Sequence, residues 1–359
     1  MNDQFLRVIE KMKEEKINQF IICDPGSIFY LTGQMFHTGH RMLALVVSVD
    51  KEPILFIHEM FPAKEEGIKV VVFKDADDYL TDLYNVLDTS KQIGVDKYFE
   101  ARYVIGLSEK GLTYPFKVTS YIVDDIRAVK TDEEIQLMKE ASLINDKVML
   151  AIQDYIHNFE GELSENHLES VLRSEYAKYT DEGYSFDPIF GFGVNATDPH
   201  HGVDDSILKA NDCIVIDIGC MKNHYAADMT RTVFYKGVSD FDREIYEIVK
   251  EAHLRAFNFV KPGVKCSEVD AMARDYITEK GYGDYFYHRL GHFIGTETHE
   301  AGDISATNDN VLVEGNIFSI EPGIYIKDKA IGVRIENLVV VTKDGAESLN
   351  HVPLDLKVL

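Results

Sequence analysis

Residues 288–300 read HRLGHFIGTETHE, which sets His288, His292 and His299 beside Glu297 and Glu300. Such a set serves as metal ligands, as acid–base groups, or as nothing more than a polar loop. The four-residue step from His288 to His292 is the ligand spacing of a zinc-protease helix, but that motif needs Glu beside the first His and an unbroken helix. Arg289 stands there instead, and Gly291 and Gly295 interrupt the run. Each of these histidines taken alone reads as a loop or core residue unless carboxylates elsewhere join it.

Apolar segments carry such carboxylates. Asp217 is flanked by Ile214, Val215, Ile216 and Ile218; Glu321 follows Ile317, Phe318 and Ile320; Glu336 sits between Val333, Ile335 and Leu338 to Val340. An acid inside an apolar strand is costly unless it is paired or binds a cation. CIVIDIG (213–219) and NIFSIEPG (316–323) are alike: an apolar run, then an acid, then glycine. Each precedes a second β segment with its own acid, Asp228 in YAADMTRTVFY and Glu336 in IGVRIENLVVV. This weak internal repeat predicts an α+β half built by pseudo-twofold duplication. Four acids in one buried site require cations, and a pair of divalent metals bridged by carboxylates supplies them. Adding one imidazole suits Mn(II), Co(II), Fe(II) or Zn(II), whereas all-oxygen ligation would suit Mg or Ca. GHFIG (291–295) fits the imidazole, because glycines on both sides of His292 let backbone approach closely.

The elements that position these groups follow two patterns. FIIC (20–23), MLALVVSV (42–49), PILFI (53–57), VVVF (70–73), IGVD (93–96) and KVTSYIV (117–123) read as strands. Leu80, Leu83, Tyr84 and Leu87 mark a helix within 77–88. This is an α/β pattern with a mostly buried sheet flanked by helices. A long helix then opens at a capping box, Thr131 with Glu134, and carries Leu137, Ala141, Ile144, Val148 and Ile152. The domain boundary lies just before it, giving an N-terminal domain over 1–126 and a second over 127–359. Three further helices are expected: one capped by Ser164, one through Ile245, Ile248, Val249 and Ala252, and one capped by Ser267 and closed by Gly281.

Composition narrows the function classes. The chain has 359 residues, 45% of them hydrophobic, and a formal charge of −24. That charge repels nucleic acid and anionic membrane surfaces and reads as cytoplasmic solubility. Cys23, Cys213, Cys220 and Cys266 form no CxxC pair, so they are expected as reduced, mostly buried thiols rather than a metal site. The N-terminal stretch has no signal-peptide core and no run approaches a membrane span.

The order Asp217, Asp228, His292, Glu321, Glu336, with the segments IDIG, ADMTRT, HRLGHFIGTETHE, SIEPGIYI and GVRIENLVVVT, resembles the Xaa-Pro dipeptidases (prolidases) and aminopeptidases P. These are metallopeptidases of the pita-bread, creatinase-like fold, related to methionine aminopeptidase. The matches run in order along 127–359, and the first part is similar to the small α/β N-terminal domain of the same proteins. The resemblance implies hydrolysis of Xaa-Pro bonds, of dipeptides in first place, by a water or hydroxide bridging two divalent ions per subunit. Mn2+ is the first expectation, with Co2+, Zn2+ or Fe2+ as alternatives. Asp217, Asp228 and Glu336 would chelate or bridge the ions, His292 and Glu321 would complete one shell, and Glu321 would be general base. His200 or His201, in NATDPHHG, would be the histidine ahead of the first ligand strand; His299 would contact substrate at the scissile bond. His288 and Arg334, and His201 if His200 is the catalytic one, would line the substrate pocket. The resemblance further implies a homodimer, whose N-terminal loop carries His37, His40 and Arg41.

Several rivals remain open at this point. Aminopeptidase P would release the first residue of longer Xaa-Pro peptides; the pair His299–Glu300 is more similar to microbial prolidases. Methionine aminopeptidase shares the ligands but normally lacks such an N-terminal domain, and creatinase-type enzymes lose them. A non-enzymatic pita-bread binding protein is disfavoured by the intact ligand set and the acidic charge. Thr230 and Thr232 share strand parity with Asp228, so either is a candidate hydrogen-bond partner to the ligands. Tyr325 reads equally as core. Asn337 follows Glu336 where this family often has Asp, which changes the hydrogen bonding next to that ligand.

Overall fold

The computed structural model describes residues 3–113 and 116–359. The chain divides into two compact units, Met1–Arg127 and Ala128–Leu359. In the first, β1 (Gln19–Ile22), β2 (Ala44–Ser48), β3 (Ile54–His58), β4 (Lys69–Phe73), β5 (Ile93–Val95) and β6 (Phe116–Val118) form one mixed sheet in the order β4-β3-β2-β1-β5-β6. The helices are α1 (Asp3–Glu14), α2 (Pro25–Thr32), α3 (Tyr79–Val86), α4 (Ala101–Glu109) and α5 (Tyr121–Ala128). The central strands β1 and β2 are buried along their whole length, as expected for a sheet covered on both faces. One expected strand is corrected: of residues 117–123 only the first two are strand, and the chain turns helical at Tyr121. Ile122, Val123 and Ile126 then pack one helical face into the core with Phe5, Val8 and Phe20. The β-branched run looked extended locally, and that burial overrides it.

The second unit begins with α6 (Asp132–Asn158), opened by the capping box: Glu134 N donates to Thr131 Oγ1 and Thr131 N to Glu134 Oε2. Next come α7 (Glu165–Tyr176), capped by Ser164, and β7 (Ile189–Phe192). β8 (Cys213–Ile218), β9 (Met221–Lys222), β10 (Tyr225–Ala226) and β11 (Met229–Phe234) follow. The long helices α8 (Asp240–Phe259) and α9 (Cys266–Glu279) come next, then β12 (Gly291–His292) and β13 (Asp303–Ile304). The chain closes with β14 (Ile317–Ile320), β15 (Gly323–Ile326), β16 (Ile331–Arg334), β17 (Asn337–Val341) and β18 (Ala346–Ser348). Ser267 is not the cap of α9, which starts one residue earlier; its hydroxyl donates to Asp309 instead.

The suspected repeat is visible as two antiparallel hairpins, β8 with β11 and β14 with β17. Their apolar faces bury against different helices. Ile214, Ile216 and Ile218 pack with α6 and α7, while Phe318, Ile320 and Val339 pack with α8 and α9. Thr232 joins the halves, since its Oγ1 donates to Arg334 O at 2.9 Å and accepts from Arg334 N at 3.0 Å. The architecture is α+β, a pita-bread unit preceded by a smaller α/β unit. Among the described residues no helix is long and apolar enough to cross a membrane, and the four cysteines are free, three of them buried.

Candidate metal centre and active site

An antiparallel hairpin brings the end of its first strand beside the start of its second. Asp217 lies near the end of β8 and Asp228 immediately before β11; Glu321 immediately follows β14 and Glu336 immediately precedes β17. Each hairpin therefore delivers two acids at one end. Glu336 N donates to Thr230 O at 3.1 Å, which sets the ends of the two hairpins together. Asp217, Asp228, His292, Glu321 and Glu336 all line one cavity of about 700 Å³.

His292 arrives from β12. A Cβ at Gly291 would lie 1.8 Å from Ser319 O, and one at Gly295 would lie 2.4 Å from Glu300 Oε1. Gly291 is thus required by close backbone approach, as the spacing suggested, whereas the neighbour at Gly295 is the end of a side chain. His292 Nε2 stands 3.5 Å from Asp228 Oδ2 and 3.4 Å from Glu321 Oε1. Asp228, His292 and Glu336 each offer a ligand atom, and these lie within 4.8 Å of one another.

The electrostatics of this cluster fit divalent cations. Asp217 Oδ1 and Asp228 Oδ1 are buried and have no hydrogen-bond partner among the described residues. Burial, then the neighbouring Asp217, holds the Asp228 carboxyl well above the ordinary range. Burial, then Asp228, Glu321 and Asp217, does the same to Glu336. Burial also raises Glu321, against the opposing pull of His292 and Arg334. Like-charged carboxyls this close cannot all ionise unless positive charge enters among them. Burial lowers the pKa of His292, leaving the neutral imidazole that a metal requires. Four carboxylates with one neutral imidazole match Mn(II), Co(II), Fe(II) or Zn(II) chemistry.

The cavity wall collects the remaining candidates, His200, His201, His288, His299 and Arg334, together with Arg289, which the sequence reading does not put forward. The rings of His299 and His292 meet edge to face with centroids 4.2 Å apart. Burial, then His292, pushes His299 down to about 4, and burial, then Arg334, pushes His288 down to about 3. Both are neutral at pH 7. His288 Nδ1 donates to Arg289 O at 2.7 Å, so its Nε2 accepts from Tyr325 OH at 3.0 Å. The Arg334 guanidinium is spread over four partners: Asp217 Oδ2 at 2.6 Å, Tyr325 OH at 2.9 Å, Thr230 Oγ1 at 3.1 Å and Pro199 O at 3.4 Å. Thr230 Oγ1 in turn donates to Glu336 Oε2 at 2.7 Å, so the parity of Thr230 with Asp228 marked a true neighbour of the ligands. Asn337 Oδ1 accepts from buried Arg231 at 2.8 Å. His201 Nε2 lies 2.6 Å from Glu165 Oε2. In the first unit Arg41 forms a two-pronged pair with exposed Asp75 at 3.1 Å, while His37 and His40 are exposed.

Several contributors escaped the sequence reading. The hydroxyl of Tyr325 is one: in the sequence the residue reads only as core, and its OH is shared by His288 and Arg334. Ser319 is another: its Oγ donates to Glu321 Oε1 at 3.0 Å and accepts from His292 N at 3.0 Å. Its two-residue step from Glu321 was the available signal, since alternate strand residues share a face. Arg274 carries no such signal. It grips buried Asp270 at 2.7 and 2.8 Å and donates to the carbonyls of Phe286 and His288. Lys130 pairs with Glu300, beside His299, at 2.9 Å with both side chains buried.

Comparison with known proteins agrees with this geometry. The chain is 35% identical to the Xaa-Pro dipeptidase of Pyrococcus furiosus over 99% of its own length and the whole of that protein. It superposes on the crystal structure of the prolidase from Pyrococcus horikoshii OT3 with a TM-score of 0.89, at 30% identity, covering 99% of this chain and 100% of that one. It also superposes on the X-Pro aminopeptidase from Thermotoga maritima, with a TM-score of 0.81 at 29% identity and coverage of 98% and 100%. Residues 5–129 match the creatinase/prolidase N-terminal domain. Residues 136–343, which hold every acid and histidine lining the cavity, match metallopeptidase family M24, and to that family the chain belongs.

Proposed function

We propose that this metallopeptidase hydrolyses the Xaa–Pro bond of Xaa-Pro dipeptides, using two divalent cations per subunit, Mn2+ in first place. The observation that carries the reading is the convergence of three buried carboxylates, the half-buried Glu321 and one neutral imidazole in a cavity rimmed by further histidines and two arginines. Asp217, Asp228, His292, Glu321 and Glu336 would hold the cations. When bound, these would acidify a water to near-neutral pKa and polarise the scissile carbonyl.

The chain's own residues do the rest. Glu321, steadied by Ser319 Oγ, takes the proton of the attacking water and returns it to the leaving proline nitrogen. His200 and the neutral His299 donate N–H groups to substrate oxygens as negative charge develops. Arg289 and Arg334 give the cavity cationic groups for the free carboxylate of a dipeptide's proline. His288, fixed by Tyr325, closes the wall beside Arg334. A tertiary Xaa–Pro amide has no N–H for the backbone recognition that other peptidases use, so shape and end-group charge must select it.

The test compares Leu-Pro, Leu-Pro-Pro and a Met-initiated peptide, each with Mn2+ and after chelation. Cleavage of Leu-Pro alone, lost on chelation and restored by metal, is expected. Preference for the tripeptide would make the chain an aminopeptidase P, a reading favoured by its likeness to the Thermotoga protein. No metal-dependent cleavage of any of the three would overturn the proposal in favour of a binding protein.

A further inference from the structure

The doubled histidine of DPHHG leaves two candidates for one role, and a buried acid outside the centre separates them. Glu165 lies in the first turn of α7 with no exposed surface. Its Oε1 accepts from Phe192 N at 2.9 Å and from Asn195 Nδ2 at 3.0 Å. Its Oε2 accepts from Asp204 N at 3.1 Å and lies 2.6 Å from His201 Nε2. Glu165 N donates to Ser206 O, and Asn195 Nδ2 also reaches Ser206 Oγ at 3.0 Å. One carboxylate thus ties the start of α7 to the end of β7, to the turn after it, and to both ends of the 201–206 loop. Although Glu165, His201 and Asp204 bring potential metal-ligand atoms together, both Glu165 oxygens already accept hydrogen bonds, so a structural tie explains them better than a cation does.

A carboxylate only accepts, so His201 Nε2 is the donor and its ring is committed to Glu165. His200 is not so held: its backbone N–H caps Asp198 Oδ1 at 3.0 Å, its side chain is exposed, and it lines the cavity. Its ring also acts electrostatically on His288 and His299, the two neutral histidines of the wall.

We infer that Glu165 and His201 form a positioning pair that holds the DPHHG loop so that His200, and not His201, faces the substrate. The inference rests on the hydrolytic reading above. A buried carboxylate with four donors fixes the backbone on either side of His200 more tightly than an exposed loop would be fixed alone, and displacement of about 1 Å at a reacting group costs roughly 100-fold in rate.

The experiment replaces each histidine by glutamine, whose amide still donates, and follows Leu-Pro turnover with Mn2+. His200→Gln is expected to lower kcat by on the order of 100-fold, while His201→Gln, still able to donate to Glu165, lowers it by only about threefold. Glu165→Gln lowers kcat by roughly tenfold or more with KM within about threefold, and leaves bound Mn2+ stoichiometry unchanged. The reverse ranking of the two histidine variants would overturn the inference, as would a Glu165→Gln enzyme with wild-type kcat. If the wild-type chain does not turn over Leu-Pro, the hydrolytic reading fails first. The pair is then read by nuclear magnetic resonance of 15N-histidine in the whole chain. His201 should show an Nε2–H protected from exchange, absent in Glu165→Gln, and His200 should show none. Equal protection of the two rings, or a spectrum indifferent to Glu165→Gln, overturns the inference without reference to activity.

Discussion

Both units bury carboxylates, and the acid cluster of the second treats them in the opposite way to the first. In the first unit Asp24 caps α2, accepting from Gly26 N, Ser27 N and Ser27 Oγ, and it pairs with the buried guanidinium of Arg127 at 2.9 Å. Asp96 accepts from the backbone N–H groups of Cys23, Asp24 and Tyr98. Every oxygen of these two acids has a donor. In the second unit Asp217 and Asp228 each keep a buried oxygen with no partner among the described residues, and burial, then the neighbouring acids, holds the carboxyls of Asp228 and Glu336 well above the ordinary range. Buried polar groups are ordinarily satisfied. The satisfied set therefore reads as structure, and the unsatisfied, self-repelling set as a place kept for cations.

The contrast makes its largest claim at the metal centre. Asp217→Ala or Glu336→Ala should cut Leu-Pro hydrolysis by at least about 10³-fold, or ~4 kcal/mol. Stoichiometric Mn2+ binding by titration calorimetry should be lost as well, while in Glu336→Ala, which leaves the Asp217–Arg334 pair intact, the urea midpoint of the metal-free chain does not fall. Full activity in either variant would mean the site is wrongly assigned. The first unit should behave in reverse. Asp24→Ala removes one partner of a buried ion pair and a helix cap, so unfolding stability should drop by about 3–5 kcal/mol, with Mn2+ stoichiometry intact. A variant as stable as wild type would erase the distinction.

pH sharpens the comparison with two groups of opposite sign. Burial raises Asp96 to about 6, above its unfolded value. The folded state then binds the extra proton, so this group's contribution is present below about pH 4 and lost as pH rises toward 6. Burial, then Arg231, lowers His253 to about 3, and its Nδ1 donates to Ile320 O at 3.0 Å. The unfolded state then binds the extra proton, so this contribution is present above about pH 6.5 and lost as pH falls toward 3. Each slope is about 1.4 kcal/mol per pH unit. Urea midpoints from pH 4 to 7 should lose the falling component in Asp96→Asn and the rising one in His253→Gln. Unchanged profiles would refute the assigned burial effects.

The smallest expected effect belongs to Tyr325. Tyr325→Phe deletes the hydroxyl shared by His288 and Arg334, and kcat/KM for Leu-Pro should fall by roughly fivefold, about 1 kcal/mol. A loss beyond about 100-fold would give that hydroxyl a part in the chemistry rather than in the wall.

Much of the centre was legible because its cost is local. An acid inside Ile-Val-Ile-Asp-Ile is expensive wherever the strand goes, so Asp217, Glu321 and Glu336 announce themselves without any partner being known. Gly291, next to His292, signalled close backbone approach in the same way. Local signals failed where packing decided: Tyr121–Ala128 is helix despite its β-branched start, and α9 begins before Ser267 rather than at it.

The residues alone therefore determined most of the strands, the long capped helix, and which acids were candidates to share cations, because periodicity, capping and desolvation are properties of neighbouring positions. Only the tertiary structure decided what holds the histidines of the wall. Glu165 meets His201 across 36 positions, Lys130 meets Glu300 across 170, and Arg334 reaches Asp217 across 117. No spacing rule links such pairs; they exist because two hairpins and the helices packed on them close around one cavity.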